Sequence, residues 1–182
     1  MDARDIDSRR DRIEALFDAH ERHVRGYARR RLTGAEDVED VVAETFAIAW
    51  RRIEELPPEP LPWLYGTARR VIAYPRRATR RRGALVDAVT TDASLTRGEP
   101  SDPGVFAALA ALGEADREAL LLVAWEGLTH RQAARVAGCS LAAFAARHRR
   151  ARRRLAQALW GESEPPASLR PTVLDEPREG AS

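Results

Sequence analysis

Apolar residues recur at helical spacing in the first part of the chain, between residues 8 and 82. They repeat every three or four positions, which is the pattern of a helix with one buried face. The first set comprises Ile13, Leu16, Phe17, Val24, Tyr27, Ala28 and Leu32. This pattern predicts a long amphipathic helix at the start of the chain.

Two further helices are predicted before residue 82. The second begins at Thr33, because Thr33 and Glu36 fit a capping box in which each side chain satisfies the other residue's backbone N–H. Its apolar face comprises Val38, Val41, Val42, Thr45, Phe46, Ala49 and Ile53. After a proline-rich segment the third helix runs from Trp63 to about Arg82. Pro75 predicts a kink or break in it, because proline removes a backbone donor.

The second part of the chain, residues 105–160, shows the same helical spacing. Short helices are predicted from Val105 to Leu112 and from Glu114 to Glu126. Gly127 follows the second of them, as glycine often does at the end of a helix. Alternating apolar and polar residues, the pattern of a β-strand, are nearly absent, so we predict an all-α fold.

Residues 128–155 fit a helix-turn-helix. Thr129 and Gln132 form a second capping box at the start of a helix from His130 to Ala137. Gly138 suits the left-handed backbone of a tight turn, and Ser140 is a good N-cap for the next helix. The predicted buried face of that helix comprises Leu141, Phe144, His148, Ala151, Leu155 and Leu159. Its remaining faces carry Arg147, Arg149, Arg150, Arg152, Arg153 and Arg154.

The arginines of this last helix favour nucleic-acid binding. The helix has no acidic residue between Ser140 and Gly161, so it repels itself unless a counter-charge is supplied. A phosphate backbone supplies that charge, and the second helix of a helix-turn-helix enters the major groove. The alternative is a charged, solvated helix that only packs on its neighbours.

Composition and charge divide the chain into four parts. Of its 182 residues 30 are basic, every one of them arginine, and the net charge is only +2. A biased genome explains the abundance of arginine but not its clustering. We predict two small helical domains, 1–82 and 105–160, joined by a flexible linker, 83–104, which is rich in small, polar and proline residues. Residues 161–182 are predicted to form a disordered tail.

No enzyme chemistry is indicated. The single cysteine, Cys139, lies near His130 and His148 in sequence, but a half-buried residue of the turn explains it better than a nucleophile. Metal-ligand spacings and phosphate-binding glycine loops are absent, so we expect no catalytic residue, metal or cofactor. The charged start is not a signal peptide and no stretch is long enough to insert in a membrane, which predicts a cytoplasmic protein.

Two oppositely charged segments stand out in the first part. Residues 33–50 carry five acids and no base, whereas residues 69–82 carry seven arginines and no acid. An acidic, partly apolar face suits a protein partner. A basic helix preceded by Trp63 and Tyr65 suits DNA, including unpaired bases stacked on rings. The alternatives are a solvated acidic face and ordinary core packing of the two aromatic residues.

The strings DVEDVVAETFAIAW, PWLYGTARRVIAYPRRATRRR and LGEADREALLLVAWEGLTHRQAARVAGCSLAAFAARHRRARRRL resemble the extracytoplasmic-function (ECF) group of bacterial sigma factors. The resemblance covers roughly residues 12–160. It implies an alternative sigma factor that binds core RNA polymerase and directs promoter-specific transcription initiation, and it is compatible with an anti-sigma factor as a further partner. The other hypothesis, a stand-alone helix-turn-helix regulator, leaves the first domain without a role.

The resemblance also implies roles for individual residues. The polymerase-docking positions are Asp37, Asp40, Val41, Glu44, Phe46 and Trp50. Residues 53–62 lie where the family captures a base flipped from the non-template strand. The positions that contact the minus-ten element are Trp63, Arg69, Arg70, Tyr74, Arg76, Arg77 and Arg80. The positions that contact the minus-thirty-five element are Arg147, Arg149 and Arg150.

The sequence departs from the family at several DNA-reading positions. Arg70 stands where relatives often have asparagine, and Tyr74 stands where a small polar residue or aspartate is common. Ala145 and Ala146 replace polar or basic residues of the recognition helix. Alanine makes no bidentate contact with a base, so we expect the minus-thirty-five element to be read through phosphates and DNA shape.

Overall fold

Seven α-helices make up the structure, a computed structural model that describes residues 3–82 and 103–161, with side chains for 7–73 and 104–161. The helices are α1 (Ala3–Arg29), α2 (Ala35–Arg51), α3 (Pro60–Arg82), α4 (Pro103–Ala110), α5 (Glu114–Ala124), α6 (His130–Ala137) and α7 (Leu141–Trp160). A short 3-10 turn, Ile53–Glu55, follows α2. These described residues contain no strand, which confirms the all-α prediction.

Helices α1, α2 and α3 pack through the apolar faces that the sequence pattern predicts. The buried residues of α2 are Val38, Val41, Val42, Thr45, Phe46 and Ala49. They meet Val24 and Tyr27 of α1 and Leu64 and Ala68 of α3 in one cluster. Burial of each large side chain contributes about 1.5–3 kcal/mol, so these contacts hold the three helices together.

The start of α2 differs from the prediction. The N-cap is Gly34, no side chain caps the helix, and the expected box of Thr33 and Glu36 is wrong. Thr33 lies one residue ahead of the cap position, so its hydroxyl is out of register. Asp37 lies over Gly34 instead: a Cβ built on this glycine would come within 2.6 Å of the Asp37 Oδ2. A carboxylate in the first turn interacts favourably with the helix dipole.

Helix α3 is longer than predicted at its start and continuous through its centre. It begins at Pro60 rather than Trp63, because the first N–H groups of a helix have no internal acceptor and proline is tolerated there. It continues past Pro75 to Arg82, so of the predicted kink or break the break is wrong, and the kink stays a prediction. Proline removes a single backbone donor, and the surrounding arginines and alanines are good helix formers.

In the second half, the structure agrees closely with the predictions made from local sequence signals. Helix α6 has the predicted bounds, and both bonds of the capping box between Thr129 and Gln132 are present. Gly127 and Gly138 adopt positive φ angles of 65° and 70°, as expected for residues that end helices. The Ser140 hydroxyl accepts a hydrogen bond from the Ala143 N–H at 3.2 Å. These bonds orient α7 against α6.

The two halves share one core, which the sequence does not predict. The main buried cluster joins Tyr65, Ala68 and Ile72 of α3 with Val136 of α6 and Phe144 of α7. A smaller cluster of Leu109, Leu112, Leu120 and Ala151 lies between α4, α5 and α7. Pro103 and Gly104, which fall in the predicted linker, begin α4. The rest of that linker and residues 162–182 of the predicted tail lie outside the described residues.

Candidate functional site

An acidic surface follows the solvent side of α2. Glu36, Asp37, Asp40 and Glu44 are all exposed along it. Glu44 is bound by Arg51 at 3.0 Å, whereas Asp40 makes no ion pair with any residue in the described part of the chain. We call these four residues the acidic face. Its uncompensated charge suits a positively charged partner surface.

An apolar edge adjoins the acidic face at the end of α2. The Trp50 side chain is 37% exposed, and the Arg9 guanidinium lies 5.4 Å from the centre of its ring. Phe17 of α1 is 41% exposed and meets Phe46 edge to face, with ring centroids 4.8 Å apart. Exposed rings beside carboxylates are typical of protein-binding surfaces, because aromatic residues are enriched at interfaces.

The predicted docking positions therefore divide into two groups. Asp37, Asp40, Glu44 and Trp50 are on the surface. Val41 and Phe46 are 6% exposed and belong to the core, where they support the surface from below. The periodic pattern assigned Phe17 to the buried face of α1, so sequence reasoning missed its exposure. Periodicity locates a face of a helix but not the point at which its partner helix ends.

The proline segment before α3 encloses a cavity of about 540 Å³. Pro57, Pro62, Trp63 and Arg70 line it from the first half, and Gln132 and Arg135 line it from α6. Trp63 is half-buried, and the Arg70 guanidinium donates to the Thr67 hydroxyl at 3.1 Å. An aromatic ring and a guanidinium on one cavity wall suit an unpaired base, which stacks on rings and is attracted by cations.

The remaining predicted minus-ten positions follow along α3. Arg69 lines a smaller cavity of about 260 Å³ that lies between the two halves. Four further positions fall on α3 beyond the described side chains: Tyr74, Arg76, Arg77 and Arg80. Their contacts stay predictions.

The helix-turn-helix presents its arginines unevenly. Arg149 and Arg150 are exposed on α7, whereas Arg147 is half-buried and lines the same smaller cavity as Arg69. Arg154 forms an ion pair with the buried Asp116 and so ties α7 to α5. Leu141, predicted on the buried face, is 45% exposed because the first turn of α7 extends beyond its neighbours. The arginines of α7 that are exposed and make no ion pair within the described residues are Arg149, Arg150, Arg152 and Arg153.

Two histidines join α6 to α7. The His130 Nε2 and His148 Nδ1 atoms lie 3.1 Å apart, and Phe144 stacks on His148. Burial lowers the pKa of His148 to about 4, with His130 and Arg152 adding to the effect. Cys139 is half-buried in the turn, where its backbone N–H donates to the Ala134 carbonyl at 3.1 Å. The histidines thus bind each other, which suits a structural role.

A buried ionic cluster connects the two halves, and sequence reasoning missed it. Glu126 accepts hydrogen bonds from Arg30 at 2.6 Å and Arg31 at 3.0 Å. Glu118 accepts from Arg31 at 2.8 Å and from the Tyr27 hydroxyl at 3.0 Å. We call these five residues the junction cluster. Its partners are about ninety positions apart, so no local pattern could have shown them.

The junction cluster strongly perturbs its titratable groups. Burial raises the pKa of Tyr27 well above its usual value. Burial disfavours the charged form of Arg31, but Tyr27, Glu118 and Glu126 outweigh it, so the pKa of Arg31 is raised. Arg31 therefore stays charged across the range in which proteins fold.

Comparison with known families matches both halves of the chain. The sequence model of sigma-70 region 2 matches residues 16–82, and that of sigma-70 region 4 matches residues 105–155. The chain is 30% identical to the ECF RNA polymerase sigma factor EcfG of Rhodopseudomonas palustris (strain TIE-1), over 85% of this chain and 86% of that protein. It is 29% identical to the RNA polymerase sigma factor NccH of Alcaligenes xylosoxydans, over 77% and 82% respectively.

Solved structures show the same fold. The sigma factor RpoE of Bartonella quintana, in complex with the anti-sigma factor NepR, is similar with a TM-score of 0.65 at 22% identity, over 82% of this chain and 98% of that one. CnrH, in complex with the cytosolic domain of CnrY, is similar with a TM-score of 0.58 at 24% identity, over 83% and 89%. Helix order and packing are thus shared with these two proteins.

The fold and surfaces define a helical DNA-binding protein with a helix-turn-helix in its second half. The family matches go further: the chain belongs to the sigma-70 family, in its ECF group, and is an alternative sigma factor that directs transcription initiation. The expected resemblance is confirmed. A stand-alone regulator is not favoured, because the region 2 match accounts for the first half. Among the described residues, no helix is long and apolar enough to cross a membrane.

Proposed function

We propose that the acidic face of α2, together with Trp50, docks this sigma factor on core RNA polymerase. The observation that carries the proposal is the pairing of unneutralised carboxylates, Asp37 and Asp40, with an exposed tryptophan on one helix. Such a surface offers charge complementarity at its rim and an aromatic anchor at its edge. Phe17 extends the apolar part of this surface.

We further propose that α3 and the proline segment read the minus-ten element. Trp63 and Arg70 supply a ring and a cation in the 540 Å³ cavity, which is large enough for a flipped base. Arg69 extends the same surface. The positions Tyr74, Arg76, Arg77 and Arg80 continue it by the family resemblance.

Recognition of the minus-thirty-five element is assigned to α7. Arg149 and Arg150 are exposed and supply phosphate contacts, and the half-buried Arg147 lies one turn before Arg150 on the same helix. Ala145 and Ala146 are too short to pair with base edges. Binding should therefore depend strongly on salt and weakly on base identity.

Three further properties complete the proposal. The chain acts without catalysis of its own, because its candidate groups, Cys139 and the histidine pair, serve the turn and the helix contact. It works in the cytoplasm, where core polymerase acts. An anti-sigma factor is a further proposed partner, since the sigma factor RpoE of Bartonella quintana, which shares the fold, was solved in complex with the anti-sigma factor NepR.

Core binding and run-off transcription on a promoter library test the proposal. Asp40→Ala should weaken core binding about fivefold, the effect of losing one significant interface contact. Asp11→Ala is the matched control, because Asp11 is an exposed acid on a different helix, α1. Equal core affinity of the two variants would remove Asp40 from the docking surface. Failure of the native chain to bind core polymerase would overturn the whole proposal.

A further inference from the structure

We propose that the cavity between the two halves is a binding site for a small phosphate-bearing molecule, held by the guanidinium groups of Arg69 and Arg147. The cavity has a volume of about 260 Å³, and both arginines line it. This site goes beyond the proposed function, which assigns the two arginines to DNA alone. A ligand that shares them with DNA makes promoter binding sensitive to a small anion.

The cavity has a surplus of positive charge. Among the described residues, the arginines that line it are Arg30, Arg31, Arg69, Arg117 and Arg147. The carboxylates that face them in the described part of the chain are those of Glu114 and Glu118. A concave surface lined mainly by charges of one sign raises the local concentration of ions of the opposite sign. We therefore expect this cavity to attract an anion from solution.

Arg69 and Arg147 carry charges that no described residue compensates. Arg30 and Arg31 of the same cavity are bound to carboxylates of the junction cluster, at 2.6 Å and 2.8 Å respectively. By contrast, the side chains of Arg69 and Arg147 form no ion pair within the part of the chain that the structure describes. Both residues are half-buried, and partial burial makes an unpaired charge less favourable. A bound anion would supply the missing counter-charge.

The remaining walls of the cavity are fixed and partly apolar. The Arg117 guanidinium donates to the carbonyls of Leu109 and Leu112 at 3.1 Å and 3.0 Å, which holds one wall in place. Leu121 and Phe144 are buried and form an apolar part of the lining. Ion pairing is stronger beside apolar groups than in water, because the local dielectric constant is lower. This environment therefore strengthens the attraction between a guanidinium and a bound anion.

The arginine pair and the size of the cavity favour a small phosphate. A guanidinium presents its N–H donors in a planar fork that binds two phosphate oxygens at once. Two such groups match the charge of roughly −1.5 to −2 that a phosphate monoester carries at neutral pH. Pockets for drug-sized ligands span roughly 300–1,000 Å³, so a cavity of about 260 Å³ suits a smaller ligand. Inorganic phosphate, pyrophosphate and small sugar phosphates belong to this class.

Duplex DNA suits the interior of this cavity less well than a small phosphate does. The phosphates of a duplex lie along a wide rod, whereas the cavity is a small recess lined by residues of α1, α3, α5 and α7. The proposed function assigns Arg69 and Arg147 to DNA, so a ligand bound to them should compete with DNA. This competition rests on the proposed function, whereas the site itself does not.

Calorimetric titration of the full chain tests the site. The probes are inorganic phosphate, pyrophosphate and ribose 5-phosphate, each in a chloride buffer of the same ionic strength. At least one probe should bind with one-to-one stoichiometry. Arg69→Gln with Arg147→Gln should weaken this binding by about tenfold or more, because both charge-assisted contacts are lost. Arg22→Gln with Arg153→Gln is the matched control: it removes one exposed arginine from each half and should change the affinity by less than about twofold.

A second variant supplies the anion from within the chain. Ala115 is an exposed residue of the cavity lining, in the first turn of α5. The helix dipole favours a carboxylate at this position, so Ala115→Glu should fold normally. Its carboxylate should pair with the arginines of the cavity and weaken phosphate binding by about tenfold. Ala115→Gln is the matched control, because it adds a side chain of the same size without the charge and should retain binding.

Competition with DNA is measured separately, on the same full chain. The probe that binds should weaken binding of mixed-sequence duplex DNA at constant ionic strength, and Arg69→Gln with Arg147→Gln should remove this effect. If the probe binds but leaves the DNA affinity unchanged, the proposed role of these two arginines in DNA binding is contradicted and the site remains.

Three results would overturn the site. Absence of one-to-one binding by every probe would show that the cavity holds no small phosphate. Equal weakening by the variant of Arg69 and Arg147 and by that of Arg22 and Arg153 would indicate general attraction of anions to a basic protein. Retained binding in Ala115→Glu would place the bound phosphate outside this cavity.

Discussion

Arginine serves opposite purposes at the two ends of the described chain. In α1 and the turn after it, arginines are paired: Arg10 with Glu14 at 2.9 Å, Arg12 with Glu54 at 2.6 Å, and Arg31 with two buried carboxylates. In α7, Arg149 and Arg150 make no ion pair within the described residues. Arginine therefore forms intramolecular ion pairs in the first region, whereas in α7 it is available to bind an external anion.

The difference shows that a neighbouring acidic residue determines whether an arginine stabilises the fold or binds phosphate. A paired, buried arginine stabilises a specific contact, and its removal leaves a carboxylate without its counter-charge. An exposed arginine without an acid adds little to stability but retains its charge for phosphate. Substitutions of the paired arginines should therefore change stability, and substitutions of the exposed arginines should change DNA affinity.

The largest effect is expected at Arg31. Arg31→Met should lower the free energy of unfolding by about 3 kcal/mol, because Glu118 and Glu126 lose a buried partner. Arg153→Met, the same change on the exposed side of α7, should alter it by less than about 0.5 kcal/mol. Urea unfolding of the full chain measures both values. Similar effects at the two positions would contradict the comparison.

A second effect on stability comes from a buried histidine of α7. The pKa of His148 is lowered to about 4, first by burial and then by His130 and Arg152. As the pH falls from about 6.5 towards 4, the unfolded chain binds this proton before the folded chain does. Stability should fall through that window by about 1–2 kcal/mol, once solvent screening is included, and the contribution should be constant below it.

The variant His148→Gln isolates this contribution. It retains a hydrogen-bonding side chain but cannot titrate, so its stability should fall less steeply between pH 6.5 and 4. Unfolding midpoints measured for both proteins across that range give the two slopes. Equal slopes would show that His148 has no lowered pKa in the folded state.

A smaller effect on stability distinguishes the start of α6 from the start of α2. Thr129→Ala should lower the free energy of unfolding by about 1 kcal/mol, because the Thr129 hydroxyl accepts from the Gln132 N–H. Thr33→Ala should have an effect near zero, since Gly34 is the cap of α2. Thermal unfolding of both variants measures the difference. A comparable loss of stability for Thr33→Ala would indicate that Thr33 does cap α2, which would contradict the structure.

These two threonines show how far sequence reasoning reaches. Both match the same four-residue pattern, yet only Thr129 forms the box, because Thr129 occupies the cap position of α6 whereas Gly34, not Thr33, occupies that of α2. The helix-turn-helix was predicted almost residue by residue since its signals are local. The fold class and the family also followed from the sequence.

Contacts between distant segments could not be predicted in the same way. The pattern assigns Val41, Phe46 and Phe17 alike to buried faces, but Phe17 lies exposed at the edge. Exposure depends on where a neighbouring helix ends. The docking roles of Asp37, Asp40 and Glu44 stay predictions, although the structure gives them an exposed surface.

The smallest effect tests the unpaired arginines directly. The full chain should bind mixed-sequence duplex DNA with an affinity that falls as salt rises, because phosphate contacts release counterions. Arg150→Ala should reduce the slope of log affinity against log salt by about 0.9, the contribution of one phosphate contact. Arg10→Ala is the matched control, because Arg10 is equally exposed but is paired with Glu14. An unchanged slope for Arg150→Ala would mean that exposure and lack of an acidic partner do not identify the arginines that bind phosphate.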